Sequence, residues 1–432
     1  MKGEMKMMNR FFAFAVLASV VAQAALPSID DDSVTIVQNA ATRGIAVSYT
    51  LTDGPAIIIP TFLTNGVPLA AAETTRLVGD VNRITEAGER SFMWFPDDDR
   101  EGFSVEDGSF SVKLKAYPTN RAPDVVVFDL AIRTSEARRY YASLEALPHG
   151  VTNDIYKTTK LVMKKVRAAG RSFRMGAPAY ESLNGGNNDF RSREIPRRVT
   201  FTNDWYLCVY PLTQLQMRCV TGSRYSRAVH DNGVLEGANT IPASYVSYTA
   251  LRGSSVDWPT TGSSVAEGSV IDTFRDKLGV SSFDLLTSAR WEYSCRAGTQ
   301  TAYYTGGSPT NYTVDAQIDE FAWYSGNSGG VPHPTGLKRP NNWGFYDMMG
   351  NVQEWVLDWY ITGNDLSDGS DQIDPPGPIA PKKTDSNNNA CRVLRGSGFG
   401  GYVRNMRVAF PGWDSPGEPK NMGFRLMCGT EL

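Results

Sequence analysis

Histidine is scarce, with three in 432 residues, too few for an imidazole-rich metal centre. The five cysteines show neither CxxC pairs nor zinc-ligand spacing, which excludes zinc and iron–sulfur readings. Basic charge is not in excess: 43 Lys and Arg face 46 Asp and Glu, so nucleic acid is not an expected partner. Long apolar runs are missing except for "FFAFAVLASVVA" near the start. At roughly 12 to 15 residues this run is shorter than the about 20 that cross a bilayer, so no membrane span is expected after its removal. Lys2, Lys6 and Arg10 precede it and the small residues of "AQAA" follow. Residues 1–25 therefore read as a secretory signal peptide cleaved near Ala24 or Ala25, and the expected location is secreted or periplasmic, in the cell envelope. No cysteine follows the run, so no lipoprotein anchor is signalled. In an oxidising space an odd cysteine count leaves at least one thiol unpaired.

The length and the 41% hydrophobic content suit two domains, each with its own core. From residue 33 to 147 short runs such as "GIAVSYTL", "AIIIPTFLTNG", "FSVKLKAY" and "VVVFDL" alternate with Gly, Asn, Asp and Pro. That spacing predicts an all-β sandwich, immunoglobulin-like, over residues 26–148. Asp97, Asp98, Asp99, Glu101, Glu106 and Asp107 gather in one loop of it, which reads as a solvated turn in preference to a calcium loop. Pro148 and Gly150 mark a boundary, with a linker over 149–160. Lys160, Lys164, Lys165, Arg167, Arg171 and Arg174 read as a solvated strand face.

Residues 161–430 carry a mixed pattern. "SFRMG" and "RRVTFTNDWYLCVYPL" predict strands, "TQLQMRCV" a helix capped by Thr213, "SVIDTFRDKLG" an amphipathic helix closed by Gly279, and "SARWEYSCRAG" a helix closed by Gly298. Long Gly-, Ser- and Asn-rich connections separate them. Trp291, Trp323, Trp343, Trp355 and Trp359 read as large core packers, and His333 as a hydrogen-bonded loop residue.

Six blocks then occur in order: "PRRVTFTNDWYLCVYPLTQLQM", "LTSARWEYSCRAGT", "FAWYSGNSGGVPHPTG", "NNWGFYDMMGNVQEWVLDWY", "RVLRGSGF" and "NMGFRL". In this the chain resembles the formylglycine-generating, sulfatase-modifying factor family over residues 160–430. The resemblance implies an α+β, C-type-lectin-like domain with little regular structure. It also implies calcium held by the Asp347 side chain, the Gly350 and Val352 carbonyls and the Glu354 side chain, a set of hard oxygens that suits the ion. The alternative is that Asp347 caps a turn and Glu354 pairs with an arginine such as Arg395 or Arg407. A second family calcium site has no matching pair here.

In the family, oxidase activity rests on two cysteines that bind copper(I) between the RGGS-type strand and the GFR strand. Here that segment, Arg395 to Arg425, contains no cysteine, so no catalytic residue is assigned and copper is not expected. Gln353 also stands where the family has tryptophan. Ser397 keeps the serine of the family's active-site strand without a base beside it, and Ser397 and Arg407 mark a candidate groove. Cys208, Cys219 and Cys295 read as buried hydrophobes, and a Cys391–Cys428 staple is open if their strands are neighbours. The sequence thus favours an exported, non-catalytic binding module for a glycan or an envelope or extracellular protein. The alternative is a formylglycine-generating oxidase that works without the cysteine pair.

Overall fold

The computed structural model describes residues 25–105, 108–133, 135–177, 181, 193–223, 239–309, 315–361, 370–381 and 389–432. The signal peptide reading, save Ala25, and the acids Glu106 and Asp107 lie outside the described residues.

The N-terminal unit is all β. Strands β1 (Ser28–Gln38), β2 (Ile45–Thr52), β3 (Ala56–Thr64), β4 (Val67–Pro68), β5 (Leu77–Gly79), β6 (Ile84–Thr85), β7 (Gly88–Trp94) and β8 (Phe110–Pro118) form two sheets. One has the order β1-β2-β7-β5; in the other β3 pairs along its length with β8 and at its ends with β4 and β6. Period-two alternation sends Ile45, Val47, Tyr49 and Leu51 of β2 inward, as a half-buried strand requires. They share one core with Ala56, Ile58 and Phe62 of β3. Trp94 joins the two sheets, its ring 4.8 Å from Phe62 and 5.6 Å from Phe110.

Strands on both sides of residue 148 share one sheet. Strands β9 (Val125–Asp129) and β10 (Arg138–Tyr141) pair with β11 (Lys160–Val166) in a five-stranded sheet ordered β10-β9-β11-β14-β20, where β14 is Trp205–Cys208 and β20 is Met427–Gly429. Chain from before residue 148 thus contributes two strands to the sheet that also holds the end of the protein. The sequence "VVVFD" is apolar throughout because β9 is buried on both faces: Val126 and Phe128 enter one core, Val125 and Val127 another. Pro148 and Gly150 are turn residues inside this unit.

The rest is α+β with short elements. Strand β12 (Ser172–Met175) pairs with β13 (Arg197–Thr200), which pairs with β16 (Gln372–Ile373). Strand β15 (Gln353–Trp359) lies between β17 (Arg392–Arg395) and β19 (Met422–Gly423), with β18 (Gly412–Asp414) beyond β17. The described helices are α1 (Gln214–Thr221), α2 (Tyr248–Arg252), α3 (Val270–Leu278) and α4 (Ser288–Arg296). Helix α1 starts as expected with a capping box, Gln216 N donating to Thr213 Oγ1 at 3.2 Å and Thr213 N to Gln216 Oε1 at 3.0 Å. Gly279 closes α3 in the left-handed region, φ 63°. Helix α4 differs from expectation: its left-handed cap is Ala297, φ 46°, with Gly298 one residue later.

The basic stretch at 160–174 is not a uniform solvated face. Lys160 pairs with Asp129 at 2.6 Å, Arg167 with Asp124 at 2.7 Å, and Lys164 Nζ donates to the Trp343 carbonyl at 2.7 Å.

Truncating Trp94 removes the ring that bridges both N-terminal sheets. Trp94→Ala is expected to cost about 3–5 kcal/mol of unfolding free energy, measurable as a lower midpoint in urea denaturation.

Candidate functional site

The block Gly344 to Tyr360 is folded by left-handed residues at Gly344, Asp347, Gly350 and Asn351. Gly350 is there for space: a Cβ would stand 2.3 Å from the Trp323 carbonyl oxygen. Asp347 is buried, and burial pushes its carboxyl above the usual range. Its Oδ2 accepts from Thr335 Oγ1 at 2.5 Å and from Gly336 N at 2.8 Å. Oδ1 has no hydrogen-bond partner, with the Asn351 amide nearby but outside bonding geometry. Glu354 faces a different group. Arg425 Nη2 donates to its Oε1 at 2.9 Å, Arg425 Nε to both oxygens at 3.2 and 3.3 Å, and Trp291 Nε1 to Oε2 at 2.7 Å.

In the set Asp347, Gly350, Val352 and Glu354 the two acids thus face different groups. An ion at Glu354 would lie against the Arg425 guanidinium of the same sign, while Asp347 keeps Oδ1 without a hydrogen-bond partner. No cluster of three His, Cys, Asp or Glu that could hold a metal occurs among the described residues. The geometry carries the other reading, with Asp347 tying a turn and Glu354 paired to an arginine, which is Arg425 in place of Arg395 or Arg407.

The candidate groove at Ser397 and Arg407 is closed. Both are buried. Arg407 is held by Glu194 at 2.5 and 2.7 Å and by Glu181 at 3.1 Å, so its charge is met inside the protein. The cysteines are all free. Cys391 and Cys428 are not bridged, because β17 pairs with β15 and β18 while β20 pairs with β14. Burial pushes the Cys208 thiol up to about 12 and those of Cys295 and Cys428 well above their ordinary value.

Of the tryptophans, Trp291 and Trp355 are fully buried. Trp359 is half-buried beneath the Arg392 guanidinium, 3.3 Å from its ring centroid. His333 stacks on Trp323 at 3.8 Å, with Nε2 against the Ser328 carbonyl at 2.8 Å, a fixed loop residue as expected.

The block contributes instead to a cavity of about 290 Å³ between the start of α4, β13, β17 and the turn Pro375–Pro378. Ser288, Glu292, Asp358, Arg197, Gln372 and Arg395 line it. Asp358 Oδ2 accepts from Ser288 N at 2.6 Å, at the helix end where a carboxylate is favoured. Gly377 closes over the other oxygen; a Cβ there would sit 2.5 Å from Asp358 Oδ1. Burial raises the Asp358 carboxyl to about 6, opposed by the Ser288 N–H and by Arg395, Arg197 and Arg392. Asp358 lies in the same block as Asp347 and Glu354. The helix N-terminus that meets it lies 70 residues away in sequence, so no local signal marked it.

Residues 153–429 match the family model described as "Sulfatase-modifying factor enzyme 1-like domain". Among relatives, the formylglycine-generating enzyme of Streptomyces coelicolor is 30% identical over 34% of this chain and 47% of its own length. That of Mus musculus is 29% identical over 33% and 38%. The chaperone protein LppX of Paenibacillus barcinonensis is 26% identical over 34% and 50%. The chain thus spans half or less of the curated relatives it matches. Among solved structures, PvdO from Pseudomonas aeruginosa covers 62% of this chain and 94% of its own, at 21% identity and a TM-score of 0.46. No described helix is long and apolar enough to cross a membrane.

Two outcomes follow from this geometry. Asp358 has a folded-state pKa above its unfolded value of 3.8, so the native state holds the proton longer. Its contribution is present below pH 3.8 and lost as pH rises through about 6. Asp358→Asn keeps an acceptor for Ser288 N and should raise stability at pH 7 relative to pH 4, read from thermal unfolding of both proteins at the two pH values. Calcium should leave the unfolding midpoint where a chelator leaves it, whereas an ion at 100 times its Kd would add about 2.7 kcal/mol.

Proposed function

The chain belongs to the sulfatase-modifying factor enzyme 1-like family, and from that premise we propose that it is a non-catalytic member: an exported binding module for a glycan or an envelope or extracellular protein. The observation that carries the reading is the state of the thiols. None lies between Arg395 and Arg425, and four of the five are fully buried. Burial holds Cys208, Cys295 and Cys428 protonated, while copper(I) capture and disulfide exchange both need thiolate. Relatives that include a protein named a chaperone beside those named enzymes also support a scaffold used without the oxidase chemistry. The finer fold descriptions belong to the same proposal: an immunoglobulin-like sandwich, supported by two sheets sharing the Trp94 core, and a C-type-lectin-like domain, supported by its short elements and long connections. Calcium has no part in this reading.

The competing reading, a formylglycine-generating oxidase independent of the cysteine pair, draws on the names of relatives matched over less than half their length. A Cys-x-Pro-x-Arg peptide incubated with the protein, copper and oxygen separates the two. The expected result by mass spectrometry is unchanged peptide. Conversion of its cysteine to the aldehyde would establish the oxidase.

A further inference from the structure

Three arginines stand together where β12 meets β13. The antiparallel register sets Arg174 opposite Arg198, next to the pair Ser172 and Thr200. Arg174 and Arg198 are exposed, and Arg197 joins them in lining one shallow depression with Ser172, Pro196 and Gln300. Like charges opposite each other on paired strands repel. Some arginines elsewhere at the surface meet a carboxylate, among them Arg43 with Asp97, Arg76 with Asp98 and Arg339 with Glu320. Among the described residues no carboxylate lies within ion-pair distance of Arg174, Arg197 or Arg198; the bonds they make are neutral. Arg198 Nη2 reaches Ser172 Oγ at 3.5 Å, and Arg197 Nε donates to Gln372 Oε1 at 3.0 Å. Arg197, half-buried and paired in register with Met175, also lines the cavity of Glu292 and Asp358, so the outer face rests on Arg174 and Arg198.

Directly opposed residues on antiparallel strands have Cα atoms about 4.5–5.5 Å apart, close enough for both guanidinium groups to reach one small ion. A guanidinium presents a planar fork of N–H donors that matches sulfate and phosphate oxygens, and the hydroxyls of Ser172 and Thr200, 2.8 Å apart, lie on the same strip. Phe173, the aromatic at the depression, is buried, leaving no exposed ring on which a base could stack.

We infer that this face of β12 and β13 is an oxyanion site that binds a sulfate or phosphate group. The carrier, an acidic glycan, rests on the binding reading proposed above, whereas the anion site does not. The test compares the mature protein with the double variant Arg174→Gln, Arg198→Gln. Thermal unfolding is followed in low-millimolar sulfate, phosphate and ionic-strength-matched chloride, and binding is titrated with a sulfated, a phosphorylated and an uncharged oligosaccharide. Sulfate and phosphate should raise the wild-type midpoint above chloride and leave the variant at its chloride value. Without anion the variant should be at least as stable as wild type, since a repulsion is gone; a merely structural pair would make it less stable. Affinity for the charged oligosaccharide should fall at least about tenfold, the scale of one charge-assisted hydrogen bond, with the sulfated and phosphorylated arms showing which group is carried. Equal responses of wild type and variant to the inorganic anions would overturn the site and leave the binding reading standing. An anion response without binding of any oligosaccharide would keep the site and sink the glycan carrier.

Discussion

The second unit depends on one buried guanidinium. Arg425 has no exposed surface, and its donors are all used: Nε and Nη2 on Glu354, Nη1 on the Cys208 and Val209 carbonyls at 2.9 and 2.8 Å, and Nη2 also on the Tyr346 carbonyl at 2.7 Å. Three segments distant in sequence are pinned to it: the exit of β14, the loop leading into β15, and the chain between β19 and β20. A charge buried this deeply is tolerable only when fully paired, and removing one partner of such a pair typically costs about 3–5 kcal/mol. Trp291, donating to the same carboxylate, ties α4 to the pair.

The same device recurs wherever regular structure is thin. Arg395 spans Ser288 Oγ, Glu292 and the Val408 and Ala409 carbonyls. Arg252 grips Asp284 with two nitrogens and also reaches the Ser264 carbonyl. Buried carbonyls in irregular chain have no ladder or helix to satisfy them, yet each needs a donor. A guanidinium supplies five in a fixed plane while its charge is met by one carboxylate. Lysine, with a compact ammonium, could not bridge carbonyl and carboxylate in the same way. A fold with long connections can therefore be rigid, provided its interior arginines and acids are matched one to another.

This explains what was legible from residues alone. Helix α1 could be read from Thr213 and Gln216 because a capping box is local, and the N-terminal sheets from alternation in segments such as "IAVSYTL". The partner of Glu354 could not. Arg395 is its cross-strand neighbour in register and a natural guess, yet Arg395 turns to Glu292 and Ser288, and Arg425 arrives from beyond β19. Choosing among buried arginines requires the tertiary arrangement that the pairs themselves create. The sheet that β9 and β10 join was hidden for a related reason: they continue the strand spacing of the first unit, and nothing in their sequence says that they pair with β11.

The segment after β17 packs Ser397 closely against its own chain. Ser397 is held at φ 55° and Gly401 packs against it; a Cβ at Gly401 would stand 2.0 Å from Ser397 Oγ and 2.8 Å from Met406 Cε. Met406 and Val403 are buried in the same core as Trp291 and Cys295. A side chain placed at Gly401 would need the Ser397 hydroxyl and the Met406 methyl to move. On the outer face of β12 and β13, Arg174 and Arg198 stand opposite each other where ligand and solvent can reach them.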